Sequence, residues 1–429
     1  MSFERVGLRP ADILLPAAGV RPETWACIAC DQYTSEPAYW QEAEAVVGDA
    51  PSALRLILPE CYLAESAGRI PRIHAAMARY LEEGLLTAAV RQGFVLCERR
   101  TPAGTRLGLV GAVDLEDYSF DREARPLIRP TEQTIASRLP PRLAIRRGAP
   151  VELTHIMILL DDPERTVLEP LQARKEALRK LYDFELMQRG GHLRGYAVED
   201  AESLGQVDAA LNALLDRLIA ETGEETPMLL AVGDGNHSLA TAKAAWEEIR
   251  PTLTEAERAV HPARYALCEI VNIHDAALLF EPIHRIVTGA DRAAMRADWE
   301  AWSAARGMAL VAAEDVPEEQ QAHRFRMLSA DGEEAVAVLR PEGAIPCATI
   351  QLWLDDYLRR HPEAAIDYIH GEGSLRALAR REGSVAFLLP PIDKGSFFRD
   401  VTALGVLPRK TFSMGEADEK RFYMEAKRI

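Results

Sequence analysis

The sequence is poor in the features that mark the specialised protein classes. No apolar run approaches the ~20 residues that cross a bilayer; stretches such as His155–Leu160 and Met228–Val232 are far shorter. Positive charge is in deficit, with 50 Lys and Arg against 66 Asp and Glu and a net charge of −16 over 429 residues. Nucleic-acid binders draw affinity from a basic surface that neutralises phosphate, so nucleic acid and anionic membranes are disfavoured as partners. Six cysteines in so long a chain make no disulfide framework. Glu4, Arg5, Arg9 and Asp12 interrupt any basic-then-apolar export layout. Reduced thiols and a cytoplasmic location are therefore expected. Fixed-period repeats are also missing, which excludes solenoids and propellers.

The familiar catalytic signatures are missing too. There is no Gly-x-x-x-x-Gly-Lys-Ser/Thr loop and no Gly-x-Gly-x-x-Gly after a strand. Nor is there a Gly-x-Ser-x-Gly elbow or a His-Glu-x-x-His helix. P-loop NTPases, the usual dinucleotide fold, α/β-hydrolases and zincins are thereby set aside.

What remains is an ordinary globular composition, 48% hydrophobic and 27% charged. Periodicity predicts helices over Ile70–Gly84, Leu171–Leu181, Leu204–Leu218, Met295–Ala305 and Thr349–Arg360. Strands are predicted at Phe94–Arg100, Arg106–Leu115, Glu152–Leu160, Met228–Val232, Leu267–Asn272 and Leu278–Val287. Further strands are Ile366–His370, Val385–Leu389 and Arg421–Lys427, with a hairpin about Ala330-Asp331-Gly332. The Pro- and Arg-rich stretch Arg125–Arg147 reads as a long loop or linker. Irregular interleaving of helices, strands and hairpins gives an α+β chain with mixed or antiparallel sheets and packed helices. Three regions are expected, 1–150, 151–290 and 291–429, the middle one carrying the most informative motif.

That motif is Gly233-Asp234-Gly235-Asn236-His237-Ser238, where a buried strand ends and a helix begins. The first helical N–H groups have no partners and the helix dipole is positive there, so an anion such as phosphate is stabilised. Asp234 suits a magnesium ion or a transferred proton; Gly235, Asn236, His237 and Ser238 suit phosphate contacts. An ordinary strand–turn–helix capped by Asn236 or Ser238 fits the same pattern. Cys27 and Cys30 have zinc-like spacing but no second pair, and two packed thiols is the simpler reading. Asp31 and Glu132 are the acids available as proton acceptors, or turn and ion-pair residues. His284 and Arg285 offer an imidazole and a fork-shaped cation, or a buried structural pair. Arg409-Lys410-Thr411 concentrates positive charge, suiting phosphate or simply a solvated turn.

Together with other landmarks in the same order, the Asp-Gly-x-His turn resembles the domain-of-unknown-function 1015 family. Those landmarks are the N-terminal stretch ending near Asp31, Arg129–Thr134, Glu281–Arg285, Tyr368–Gly371, Ala386–Leu389 and Pro408–Thr411, so the resemblance spans nearly the whole chain. The chain departs at Asn236 and Ser238, where the common form has His and Arg. The turn is similar to that of ParB-like partition proteins, sulfiredoxins and free-serine kinases, which share a nucleotide-binding core. The resemblance implies a nucleotide-phosphate site at Asp234–Ser238, with ATP or ADP and Mg²⁺ as cofactors. The expected function is a nucleotide-dependent phosphotransferase acting on a small hydroxyl-bearing metabolite. In it Asp31, Glu132 and Asp234 are catalytic, and Gly235–Ser238, His284, Arg285 and Lys410 hold phosphate. The alternative is a non-catalytic nucleotide-sensing or partner-binding protein with a ParB-like core.

Overall fold

The computed structural model describes residues 3–121, 123–408 and 410–429. The chain divides into two compact units, residues 1–279 with 415–429, and residues 280–414.

A twelve-stranded mixed sheet builds the first unit. Its main path runs Ile128–Pro130, Leu230–Asp234, Met157–Leu160, Tyr265–Asn272, Gly104–Asp114, Leu86–Thr101, Ala11–Pro16, Ala426–Arg428 and Val151–Leu153. Leu230–Asp234 pairs parallel with Ile128–Pro130, and Tyr265–Asn272 parallel with Met157–Leu160, among otherwise antiparallel neighbours. Val151–Leu153 and Met157–Leu160 lie six strands apart along this path. On a flat sheet that is about 29 Å at ~4.8 Å per strand, yet the three linking residues reach only about 14 Å. The sheet must therefore curl round on itself.

Alternation along the strands sorts side chains onto the two sides of the curl. Phe94, Leu96, Leu109 and Val113 join helices Ala201–Thr222 and Asn236–Ile249 in one core. Val95, Cys97, Val110, Ala112 and Leu267 join Trp25, Trp40, Ile73 and Met77 in the other. Ala201–Thr222 forms as its sequence directs. Asp200 caps it by accepting from the Ser203 N–H, Leu204, Val207, Leu211, Leu214 and Leu215 are buried, and Gly223 ends it in a left-handed conformation.

Two expectations are corrected in this unit. The Arg125–Arg147 stretch is no linker: it supplies the Ile128–Pro130 strand and the helix Leu139–Arg146. Leu171–Leu181 is not one helix but a turn of helix, Glu169–Ala173, followed by the strand Arg179–Glu185. That strand buries Tyr182 and Phe184 on one side and exposes Arg179, Asp183 and Glu185 on the other, a period of two hidden in a charged run.

The second unit is a six-stranded antiparallel sheet in the order Ala309–Ala312, Gly332–Leu339, Ala322–Ser329, Ser384–Leu388, His284–Thr288, Ala365–Ile369. Helices Arg292–Ala304 and Pro346–Arg360 cover one face, where Trp299 and Trp353 stack at 4.6 Å over Phe387. Leu375 and Ala379 of helix Glu372–Ala379 pack with Ile286, Leu328 and Ala386 in a separate small core. Among the described residues no helix is long and apolar enough to cross a membrane.

Candidate functional site

The strand Leu230–Asp234 and the helix Asn236–Ile249 meet at Gly235, whose φ is +82°. A side chain there would pay ~1–2 kcal/mol for the left-handed backbone, and its Cβ would lie 3.2 Å from Ile156 Cα. The Gly235 carbonyl accepts from the Ser238 and Leu239 N–H groups and closes the first turn.

The Arg129–Thr134 stretch is stitched to this turn. Thr131 donates its hydroxyl to the Val232 carbonyl at 2.6 Å and its N–H to Asn236 Oδ1 at 3.2 Å. The Ile135 N–H donates to His237 Nε2 at 3.2 Å. Burial, with Arg142 and Arg138 close by, lowers the His237 pKa to about 4. The ring is therefore neutral at pH 7, and with Nε2 accepting its proton sits on Nδ1. Glu132 lies half-buried between Thr131 and Ile135 in the same loop.

The next helical residue reaches a different set of partners. Ser238 Oγ lies 3.0 Å from His155 Nε2, and His155 Nδ1 lies 2.7 Å from the Tyr423 hydroxyl. That hydroxyl accepts from the Cys30 N–H at 3.2 Å. Asp31 follows directly, its Oδ2 3.9 Å from His155 Nε2. Topology explains the gathering. The Phe422–Tyr423 strand pairs with Cys27–Ile28, bringing both ends of the unit together, and His155 sits in the link between Val151–Leu153 and Met157–Leu160.

A buried charge cluster lies behind the link. Arg421 donates to Glu269, to Glu425, and at 3.1 Å to the carbonyl of Thr154, the residue before His155. Tyr182 donates to Glu425, and the Cys97 thiol donates to Glu269 at 3.2 Å. Burial opposes ionisation of Glu269, but Arg421 and Arg106 outweigh it and hold the carboxyl below its ordinary range. Asp234 is tied more loosely: its Oδ2 is buried without a hydrogen-bond partner, 3.6 Å from Lys420 Nζ.

A cavity of about 150 Å³ opens beside this group. Cys30, His155, Ser238 and Tyr423 stand on its wall with apolar side chains including Leu58 and Met77. Among the described residues no group of three His, Cys, Asp or Glu is placed to hold a metal ion, the Cys27–Cys30 segment included. At the turn, Asp234 offers a buried carboxylate oxygen with no hydrogen bond. Such a donor fits Mg²⁺ carried on phosphate, which takes one or two protein carboxylates.

The remaining sequence candidates belong to the second unit. His284 is buried, its Nδ1 accepts from the Leu389 N–H, and burial lowers its pKa to about 4. Arg285 is fully buried, donating to the Ile283 carbonyl, to Cys347 Sγ at 2.9 Å and to Gln351, with Tyr368 against its guanidinium. Lys410 is exposed, and Arg409 lies outside the described residues. Sequence reading missed His155, Tyr423 and Lys420. His155 had a faint signal, one histidine interrupting an apolar run; Tyr423 and Lys420 had none, since their partners lie far off in sequence.

Residues 14–357 match the family described as protein of unknown function (DUF1015). The chain belongs to this family. No curated protein matches it. Among solved structures, a free serine kinase in complex with AMP aligns at 10% identity and a TM-score of 0.38, covering 74% of this chain and 90% of that one. A conserved hypothetical protein from Pyrococcus furiosus aligns at 11% identity and 0.35, over 75% and 94%. SbnI from Staphylococcus aureus, truncated at its C-terminus, aligns at 12% and 0.34, over 71% and 83%.

Proposed function

We propose that this DUF1015 member is a nucleotide-dependent phosphotransferase acting on a small hydroxyl-bearing metabolite, with a ParB/sulfiredoxin-like nucleotide-binding core. The observation that carries the reading is that His155 and Ser238 meet on the wall of one cavity beside the Asp234–Ser238 turn, with Asp31 Oδ2 3.9 Å from His155 Nε2. Phosphoryl transfer asks mainly for positioning and charge neutralisation. The unpaired N–H groups at the start of the Asn236 helix suit phosphate oxygens, and the neutral His237 has its Nδ1–H to donate. Asp234 would hold Mg²⁺, which when bound offsets phosphate charge, and Lys420 stands beside it as a second cation. His155 Nε2 takes the acceptor's proton, and the Asp31 carboxylate stabilises the imidazolium so formed. In this reading Lys420 fills the role the sequence had given to Arg285 and Lys410.

The test is incubation of the protein with ATP, ADP or CTP, Mg²⁺ and candidate alcohols including serine. Turnover with any pair is the expected result. Binding without turnover replaces the enzyme by a nucleotide sensor, and neither binding nor turnover removes the reading.

A further inference from the structure

We propose that the acceptor is a small neutral alcohol with an apolar body, bound in the cavity beside Ser238, and not an amino acid. The inference rests on the phosphotransfer reading and deepens it.

The cavity wall is made chiefly of Leu56, Leu58, Leu63, Met77, Ile145 and Ile156. Its charged members are already compensated. Glu60 pairs with Arg142, and Glu152 pairs with Arg146 at 2.6 Å and with Lys427 at 3.3 Å. Glu152 also accepts the Leu267 N–H at 2.8 Å. An entering ammonium or carboxylate would have to break one of these pairs in apolar surroundings, where an orphaned charge is strongly unfavourable. An uncharged body pays no such cost. A cavity of this volume lined by aliphatic side chains accommodates about a benzene-sized molecule.

One place on the wall suits a hydroxyl. Ser238 Oγ and His155 Nε2 lie 3.0 Å apart there, with Asp31 Oδ2 3.9 Å from the same nitrogen. The tautomer that donates Nδ1–H to the Tyr423 hydroxyl, 2.7 Å away, leaves His155 Nε2 as an acceptor. An alcohol that exchanges for Ser238 at Nε2 gives its proton to His155. Its oxygen then bonds to the γ-phosphorus of a nucleoside triphosphate. The bond from that phosphorus to the β–γ bridging oxygen breaks, and its electron pair leaves on the nucleoside diphosphate.

The test pairs direct binding with turnover. Benzyl alcohol, 1-hexanol and L-serine are each added to the full-length protein, and binding is read by saturation-transfer NMR and thermal shift. Transfer of label from [γ-³²P]ATP–Mg to each is then measured. Benzyl alcohol should bind and be phosphorylated at least tenfold faster than serine. Leu63→Trp, which fills the cavity, should abolish both effects; if that variant does not fold, Ile145→Trp takes its place. Preference for serine, or no alcohol binding to the wild type, overturns the inference. Nucleotide affinity measured on the same samples separates the failures. Nucleotide bound without alcohol defeats this inference alone, whereas alcohol bound without nucleotide defeats the phosphotransfer reading and the acceptor role with it.

Discussion

Replacing Arg421 by Met should unsettle the first unit in a way that depends on pH. Arg421 is 3% exposed and bridges Glu269, Glu425 and the Thr154 carbonyl. Removing one partner of a buried ion pair costs ~3–5 kcal/mol, because the other charge is left without compensation. Here two carboxylates are left, with the Cys97 thiol and Tyr182 hydroxyl still donating to them and Arg106 still near Glu269 in part compensation. The upper end applies, about 5 kcal/mol, which for a unit of this size lowers Tm by on the order of 10 °C. Glu269 should titrate higher than in the wild type, since its burial is now opposed by less positive charge. A group whose folded pKa is raised is best tolerated below that pKa, so the deficit is full at neutral pH and shrinks as pH falls. Calorimetry of wild type and Arg421→Met between pH 8 and 5 reads this directly. Adding Glu269→Gln and Glu425→Gln to Arg421→Met should recover most of the loss at pH 7.5. A deficit below 1 kcal/mol, or one that does not shrink on acidification, would refute the reasoning.

Further outcomes follow from other residues. Burial holds His284 and His323 near pKa 4, below the ordinary 6.5. The unfolded chain therefore binds protons first, and each histidine removes up to about 3 kcal/mol of stability as pH falls from 6.5 to 4. A Tm–pH series on His323→Gln should be visibly flatter than wild type; equal slopes count against the assignment. Gly235→Ala should lower stability by ~1–2 kcal/mol through its left-handed backbone, read by urea denaturation, and unchanged stability would mean that the turn rearranges freely. His237→Ala should weaken nucleotide binding by ~1–3 kcal/mol, the size of a hydrogen bond to a charged group. A lower Tm with unchanged affinity would make His237 a structural residue.

The sequence discloses the elements whose signals are local. The Ala201–Thr222 helix carries its own cap, apolar stripe and terminal glycine, and the Asp234–Ser238 turn announces itself as a strand end, two glycines and a helix start. Arg179–Glu185 was hidden because its charges imitate an exposed helix face, and only pairing with His192–Val198 reveals the alternation. Within the candidate site, Asp31 and the turn were legible as a motif, but what joins them was not. His155 is 83 residues from Ser238 and Tyr423 is 268 from His155, contacts that exist only because the sheet curls and the Phe422–Tyr423 strand returns to Cys27–Ile28. The setting of Arg285 was hidden for the complementary reason: among its partners, Cys347 and Gln351 come from a helix distant in sequence.

The central claim is that the turn beside the Asp31–His155–Ser238 group is a nucleotide-phosphate site, and isothermal titration of ATP–Mg²⁺ into the protein tests it most directly. One nucleotide should bind per chain, with affinity reduced at least about fivefold in both Asp234→Asn and His237→Ala while calorimetric unfolding shows each variant folded. Absence of binding by ATP, ADP and CTP alike, or binding that both variants leave unchanged, would contradict it.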